Sequence, residues 1–232
     1  MSDNAITFPP QIGFDQTERH VHLAFGMPFN ALSCAVLNGG FQAVDHIVNL
    51  KVPKEACTDE KPAMTLNRYC LQQGWQGMAA GMMTAASMKS LRIRQRRIEG
   101  VDVMALVTTG LSNARRAGDP AEWRTLQPVC LDHDTINIIL ISTARFTPSA
   151  MVEAIMIATE AKAAALQNAT IKSAVSRAIA TGTGTDAIIM ACPKEGKPRI
   201  EFCGKHVLMG EVIGQLVIEA VTDSIRWELT AT

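Results

Sequence analysis

The chain has 232 residues, 47% of them hydrophobic and 19% charged, with 22 basic residues against 22 acidic ones. So apolar and sparsely charged a chain buries a sizeable core, which excludes wholesale disorder and collagen-like or coiled-coil architectures. A formal net charge of zero gives no broad positive field, which argues against nucleic acid or an anionic membrane as partner and favours small-molecule chemistry.

From the N-terminus, alternating or β-branched residues at His20–Phe25, Leu32–Leu37 and Val44–Val52 predict strands, with Asn38-Gly39-Gly40 as a turn that tolerates positive φ. Met64–Gln73 reads as a helix, whereas the Met- and Ala-rich Met78–Met88 fits strand and helix alike. Arg92, Arg94, Arg96 and Arg97 alternate on an expected edge segment and read as a solvated face that blocks aggregation. Val101–Thr108 and Thr135–Ile141 predict buried strands, each with small or polar residues at an end where a site could form. Thr147-Pro148 is an N-cap followed by proline at the first helical position, opening a helix to about Gln167. The turn at Gly182–Asp186 feeds a strand from Ala187, with Arg199–Cys203 as its expected hairpin partner. Leu208, Val212, Ile213, Leu216, Val217, Ala220 and Val221 recur at helical spacing opposite Glu211, Gln215 and Glu219, so a last helix should cover the sheet. Together these predict one α+β domain over residues 1–232, with a mixed or largely antiparallel sheet covered by helices and the long helices in the C-terminal half.

No apolar window approaches the roughly 20 residues of a membrane span. Met1-Ser2-Asp3-Asn4 lacks the basic and apolar regions of a signal peptide, so the expected location is cytoplasmic. Cys34, Cys57, Cys70, Cys130, Cys192 and Cys203 show no C-x-x-C spacing and read as reduced, mostly buried thiols. The Met-rich segment Met78–Met88 fits a homo-oligomer contact as well as core packing.

Several clusters could carry chemistry. In Ala180-Thr181-Gly182-Thr183-Gly184-Thr185-Asp186 two glycines free backbone N–H groups to face a ligand, a nest suited to an oxyanion or phosphate; the alternative is a plain turn. It is not a P-loop, because no G-K-[ST] follows. Gly204-Lys205-His206, with Glu211 nearby, places an amine, an imidazole and a carboxylate at a helix start, for proton transfer or as a solvated cap. Gly210 and Gly214 read as close helix packing. Glu153 and Glu160 fall on one face of an apolar helix that also carries Lys162, so they are either paired structurally or line a cavity. The polar run Ser112–Pro120 could bind an amide-rich or anionic ligand, or be an ordinary loop. His20 and His22 have H-x-H spacing on one side of a strand, an incomplete ligand set, and no protein-held metal is expected.

In order along the chain, Leu32-Ser33-Cys34-Ala35-Val36-Leu37-Asn38-Gly39-Gly40, Thr108–Ala114 with Arg116–Asp119, Thr135–Leu140, Ala150–Ala154 with Ala158–Lys162, Ala180–Ala187, and Gly204–His206 with Leu208, Gly210, Glu211 and Gly214 resemble successive blocks of the adenosylcobinamide amidohydrolase family. The resemblance spans about Leu32 to Val221, leaving the first 30 residues without a counterpart. His133-Asp134-Thr135 departs from it, since the family tends to carry Gly-Thr there, and the longer side chain would reshape the pocket.

The resemblance implies a corrinoid-salvage enzyme that hydrolyses the amide joining the aminopropanol arm to the corrin ring of adenosylcobinamide, releasing adenosylcobyric acid. Its partner is then the small-molecule corrinoid, and cobalt arrives only as part of that substrate. Amide hydrolysis needs a base or nucleophile, oxyanion donors and an acid for the leaving amine. Candidates are Asp186 or Glu160 as base, the Gly182–Thr185 backbone as oxyanion cradle, and Lys205 or His206 as acid; a covalent route would use Thr181, Thr183 or Ser112, without any G-x-S-x-G elbow. Asn38, Ser112, Asn113, Arg116 and Asn137 suit an amide-fringed ring, and Trp75 or Trp123 could cover it. The resembling blocks add Gly39, Asp119, Glu153, Lys162, Thr181, Gly182, Thr183, Gly184, Thr185 and Glu211 as substrate-binding candidates. The competing expectation is a protein that binds a corrinoid or nucleotide without cleaving it.

Overall fold

The computed structural model describes residues 6–54, 60–123, 126 and 134–231. In chain order the elements are β1 (Ile12–Gln16), β2 (His20–Ser33), β3 (Gly40–Lys51), α1 (Pro62–Gln72), β4 (Ala79–Thr84), β5 (Arg92–Ile98), β6 (Val101–Thr109), β7 (Ala114–Arg115), β8 (Ile136–Ser142), β9 (Arg145–Phe146), α2 (Pro148–Asn168), β10 (Gly182–Thr183), β11 (Ala187–Pro193), β12 (Arg199–Ile200) and α3 (Leu208–Ala231). Among the described residues, eight strands form one sheet in the order β4-β3-β2-β11-β8-β6-β5, with β1 also paired to β2. The sheet is mixed, with β3 parallel to β4 and β8 parallel to β11, as expected for the α+β class.

The sheet doubles back on itself. Between the register pairs Ala24↔His46 and Phe29↔Val44, β2 takes five steps where β3 takes two. The surplus residues, which include Gly26 and Pro28, form a wide bulge that turns both strands out of plane. The first half of β2, with β1, β4 and the end of β3, thereby covers the β11–β8–β6 half. Val21, Leu23, Ile47 and Met82 from one half share a core with Met104, Leu106, Ile139 and Ile189 from the other. Asn49 on β3 hydrogen-bonds Thr108 on β6 although β2, β11 and β8 intervene in the strand order.

Helices close both outer faces. Leu66, Tyr69 and Cys70 of α1 pack on Val48 and Leu50. Alternate residues of β6, β8 and β11, such as Val107, Ile138 and Met190, pack under α2 and α3. Thr147 caps α2 by accepting the Ala150 N–H at 3.1 Å, and Pro148 occupies the first turn. Gly210 lies against the carbonyls of Cys203 and Gly204, and Gly214 faces Ile157 of α2, so both glycines serve close packing.

Three expectations need correction. His20–Phe25 and Leu32–Leu37 are not two strands: β2 runs unbroken to Ser33, because the bulge bends the ladder without ending it, and Leu37 makes only an isolated bridge to Gly81. Residues 199–200 do not form a hairpin with β11 but pair in parallel with β9, while β11 is already flanked by β2 and β8. The arginine strand β5 is at the sheet edge, yet Arg94 is ion-paired with Asp223 and Arg96 with Glu219 on α3, so its alternate side chains hold the helix instead of facing only solvent. The ambiguous Met78–Met88 segment is the strand β4 followed by a short 3-10 turn at Met88–Ser90.

Candidate active site

At one rim of the doubled sheet the inner faces change from apolar to polar. Ser33 follows Phe29 and Ala31 on β2, Asn49 follows Ile47 on β3, and Thr84 follows Ala80 and Met82 on β4; Thr108 follows Met104 and Leu106 on β6, while Asn137 precedes Ile139 and Ile141 on β8. All five are at most 8% exposed. Buried polar groups are tolerated only when hydrogen-bonded, and here a directional chain satisfies most of them. Asn137 Nδ2 donates to Asn49 Oδ1 at 2.8 Å and to the Met83 carbonyl at 2.9 Å, and Asn49 Nδ2 donates to Thr108 Oγ1 at 2.8 Å. Beside this floor a surface pocket of about 480 Å³ opens between Thr17, Glu18, Lys51 and Ser87–Lys89, and Lys51 is the register partner of Thr84.

A charged centre sits beside the same rim. The Asp186 carboxylate is ion-paired with Lys162, and both side chains are about nine-tenths buried. It also accepts the N–H and hydroxyl of Thr183 and, at 3.1 Å, the N–H of Ile136, next to Asn137. Gly182 makes this possible, since a Cβ there would overlap the carboxylate and come within 2.8 Å of Lys162 Nζ. The short β7–β10 ladder ties this turn to the loop after β6. Thr181 N–H donates to the Arg115 carbonyl, Thr181 Oγ1 accepts the Ala117 N–H at 2.8 Å, and Arg116 reaches the Ile179 carbonyl at 3.0 Å. Asp119 is held below the usual carboxylate range by the Ser173 and Ser176 hydroxyls and the Arg116 N–H. Thr135 Oγ1 donates to the Thr185 carbonyl at 2.8 Å, and Asn113 packs on Gly184. Ser112 N–H points at Asp134 Oδ2, 3.4 Å away, which also lies 3.4 Å from Lys54 Nζ.

The structure thus gathers Ser112, Asn113, Arg116, Asp119, Asn137, Lys162 and Thr181–Asp186 at one rim. Asn38 and Gly39 belong to the turn after β2: Asn38 adopts φ 52° and donates to the Ala79 carbonyl, and a Cβ on Gly39 would collide with the Ala35 carbonyl. The remaining candidates lie elsewhere. Two residues along a helix are separated by about 200°, so Glu160 points away from Lys162. Glu160 is half-exposed and ion-paired with Lys205, His206 is exposed, and Glu153 accepts the Cys203 N–H at 2.5 Å. Glu211 is exposed and accepts from Gln215 at 3.1 Å.

Sequence reasoning missed Asn49, Thr84 and the pairing of Asp134. Thr108 and Asn137 were visible as polar ends of apolar strands, but Asn49 joins them only because the sheet doubles back. Glu228 of α3 is pushed above its ordinary value by burial and by the Asp134 carboxylate. A separate cluster lies under α1: His22 stacks on Trp75 with ring centroids 3.6 Å apart, its Nε2 is 3.1 Å from His46 Nδ1, and His46 Nε2 meets the Gln76 carbonyl. Trp75 is therefore engaged in this stack, while Trp123 is partly exposed. Among the described residues no group of three or more His, Cys, Asp or Glu is arranged to hold a metal ion, and no helix is long and apolar enough to cross a membrane. Among the described residues Cys70, Cys192 and Cys203 are buried and Cys34 is exposed, in line with mostly buried thiols. Cys57, Cys130 and His133 fall outside the described residues.

The family model described as adenosylcobinamide amidohydrolase matches residues 8–232. The adenosylcobinamide amidohydrolase of Methanosarcina mazei is 31% identical over 201 residues, 83% of this chain and 88% of its own. An uncharacterised protein of Methanocaldococcus jannaschii is 33% identical over 158 residues, 62% of this chain and 61% of its own. Among solved structures, a Burkholderia β-aminopeptidase aligns over 92% of this chain and 79% of its own, at 14% identity and a TM-score of 0.46. With a family match over residues 8–232 and a relative of the same description, the chain belongs to the adenosylcobinamide amidohydrolase family and is an amidohydrolase.

Proposed function

We propose that the chain hydrolyses the amide linking the aminopropanol arm to the corrin ring of adenosylcobinamide, adding water across the C–N bond to give adenosylcobyric acid and the free amine. Family membership supports the substrate class, and one geometric observation supports this location for the reaction. Blocks far apart in sequence, at Leu32–Gly40, Thr108–Asp119, Thr135–Leu140 and Ala180–Ala187, meet at one rim around a buried Lys162–Asp186 pair and a floor of neutral amide and hydroxyl groups. A ring fringed with amides suits such neutral donors and acceptors, and a developing oxyanion is stabilised by hydrogen-bond donors or positive charge held away from water. In this reading Lys162 stabilises the charge that develops on the carbonyl oxygen. Asp186, whose oxygens already accept from Lys162, Thr183 and Ile136, fixes Lys162 and the turn in place and is not the base.

The test is incubation of the purified protein with adenosylcobinamide, following adenosylcobyric acid and aminopropanol by mass spectrometry beside a binding titration. Product formation is expected, with Lys162→Met lowering kcat by about 100-fold or more, the scale of a lost oxyanion-stabilising group. Tight binding without product would make the protein a corrinoid carrier, and neither binding nor product would overturn the substrate.

A further inference from the structure

Among the described residues three buried side-chain oxygens have no hydrogen-bond partner, those of Thr109, Asn113 and Asn137, and the Asn137 atom is the one within the polar floor. Asn137 is 1% exposed, and its Oδ1 is a buried acceptor that receives no hydrogen bond. The side chain cannot be turned over to satisfy it. A flip would place the amide oxygen against Asn49 Oδ1 and the Met83 carbonyl, exchanging two hydrogen bonds at 2.8 and 2.9 Å for two acceptor–acceptor contacts. The donors of Asn137 are therefore fully used, and its one open valence is an acceptor. Such a position calls for a donor, and a buried polar group left without one is uncommon in a folded protein. Ile136 N–H, the amide immediately before Asn137, binds Asp186, so the backbone at this end of β8 links the polar floor to the Lys162–Asp186 pair.

Resting on the amidohydrolase reading above, we propose that Asn137 Oδ1 accepts the N–H of the scissile amide and so determines that the substrate is a secondary amide and not an ester. An ester at the same place offers only an oxygen lone pair to the Asn137 oxygen. A site built to hydrogen-bond a substrate N–H discriminates strongly against an analogue that lacks it, because the protein acceptor is then left unpaired. Asn49 acts through Asn137, as a positioning residue: its Oδ1 holds one Asn137 donor and its Nδ2 is anchored on Thr108.

The experiment compares adenosylcobinamide with its ester analogue, in which oxygen replaces the linking N–H, in the wild type, in Asn137→Leu and in the double variant Asn49→Leu/Asn137→Leu. Esters are intrinsically more reactive, so the readout is the change in the amide-to-ester ratio of kcat/KM on substitution. That ratio is expected to fall by about tenfold or more, with a rise in KM for the amide and little change in KM for the ester. The double variant removes both ends of the amide–amide bond and keeps the question answerable if the single variant does not fold. A ratio unchanged within about threefold, in a variant that still turns over, overturns the proposal. A wild type that hydrolyses neither compound overturns the functional reading instead.

Discussion

At Gly182 the absence of a side chain is what the site depends on, because any Cβ would enter the space shared by Asp186 and Lys162. Gly182→Ala should separate that buried pair, costing about 1–3 kcal/mol in the manner of an overpacked core and lowering kcat/KM by about tenfold or more. Thermal melting together with steady-state kinetics checks this, and a variant with wild-type values in both would show that the turn adapts. The glycines and hydroxyls of this turn were legible in sequence, but their use was not. The expected oxyanion nest is partly closed, since Thr183 N–H turns to the carboxylate three residues on and Thr181 N–H to Arg115. An aspartate so close in sequence competes locally for those donors. The shared face of Glu153 and Glu160 was also legible from their seven-residue spacing. That both would meet the 203–205 segment, away from the rim, follows from where the chain returns after β11.

Elements defined by their own periodicity and caps were readable. Helix α2 announced its start through Thr147 and Pro148, α3 through its apolar stripe, and β6 and β8 through continuous apolar runs buried on both faces. The bond from Ala150 N–H to Thr147 Oγ1 gives a direct test: Thr147→Ala should destabilise the protein by about 1 kcal/mol. A chemical-denaturation midpoint measures it. Because the cap lies about four turns from Lys162, kcat should stay near wild type, and a large loss of turnover would mean that α2 shifts as a unit. Elements defined by a partner were not readable. The pairing of β12 with β9 and the attachment of β5 to α3 through Arg94 and Arg96 depend on which strands already flank β11 and on where α3 crosses the sheet.

For the molecule as a whole, the decisive feature is the bulge that lets one half of the sheet cover the other and brings Asn49 to Asn137. The apolar series Val21, Leu23, Phe25, Met27, Phe29 and Ala31 runs through the bend on β2 without a break, so the bulge's only marks in the sequence are Gly26 and Pro28 and the three-residue step from Val44 to Ile47 on β3. The folded-over half is tied to α1 and the segment after it by the imidazoles beneath them, and this gives the fold a dependence on pH. His22 is pushed down to about 4 by burial and by the neighbouring His46 and His20. His20 bonds Tyr69 Oη and Asp15, with Arg19 over the Tyr69 ring. A depressed histidine is neutral in the fold but takes up a proton when unfolded, so the unfolded state binds more protons between the two values. Stability should therefore fall as pH drops from about 6.5 to 4, by about 2–3 kcal/mol from this group. Glu228, raised by burial and Asp134, acts in the opposite sense, with stability lost as pH rises from its ordinary value through its raised one, and so offsets part of the slope near the acid end. Unfolding midpoints measured across this range in the wild type and in His22→Phe, which keeps an aromatic ring against Trp75, separate the contributions. The variant should show a flatter profile, and an equally steep one would assign the pH dependence to groups outside the cluster.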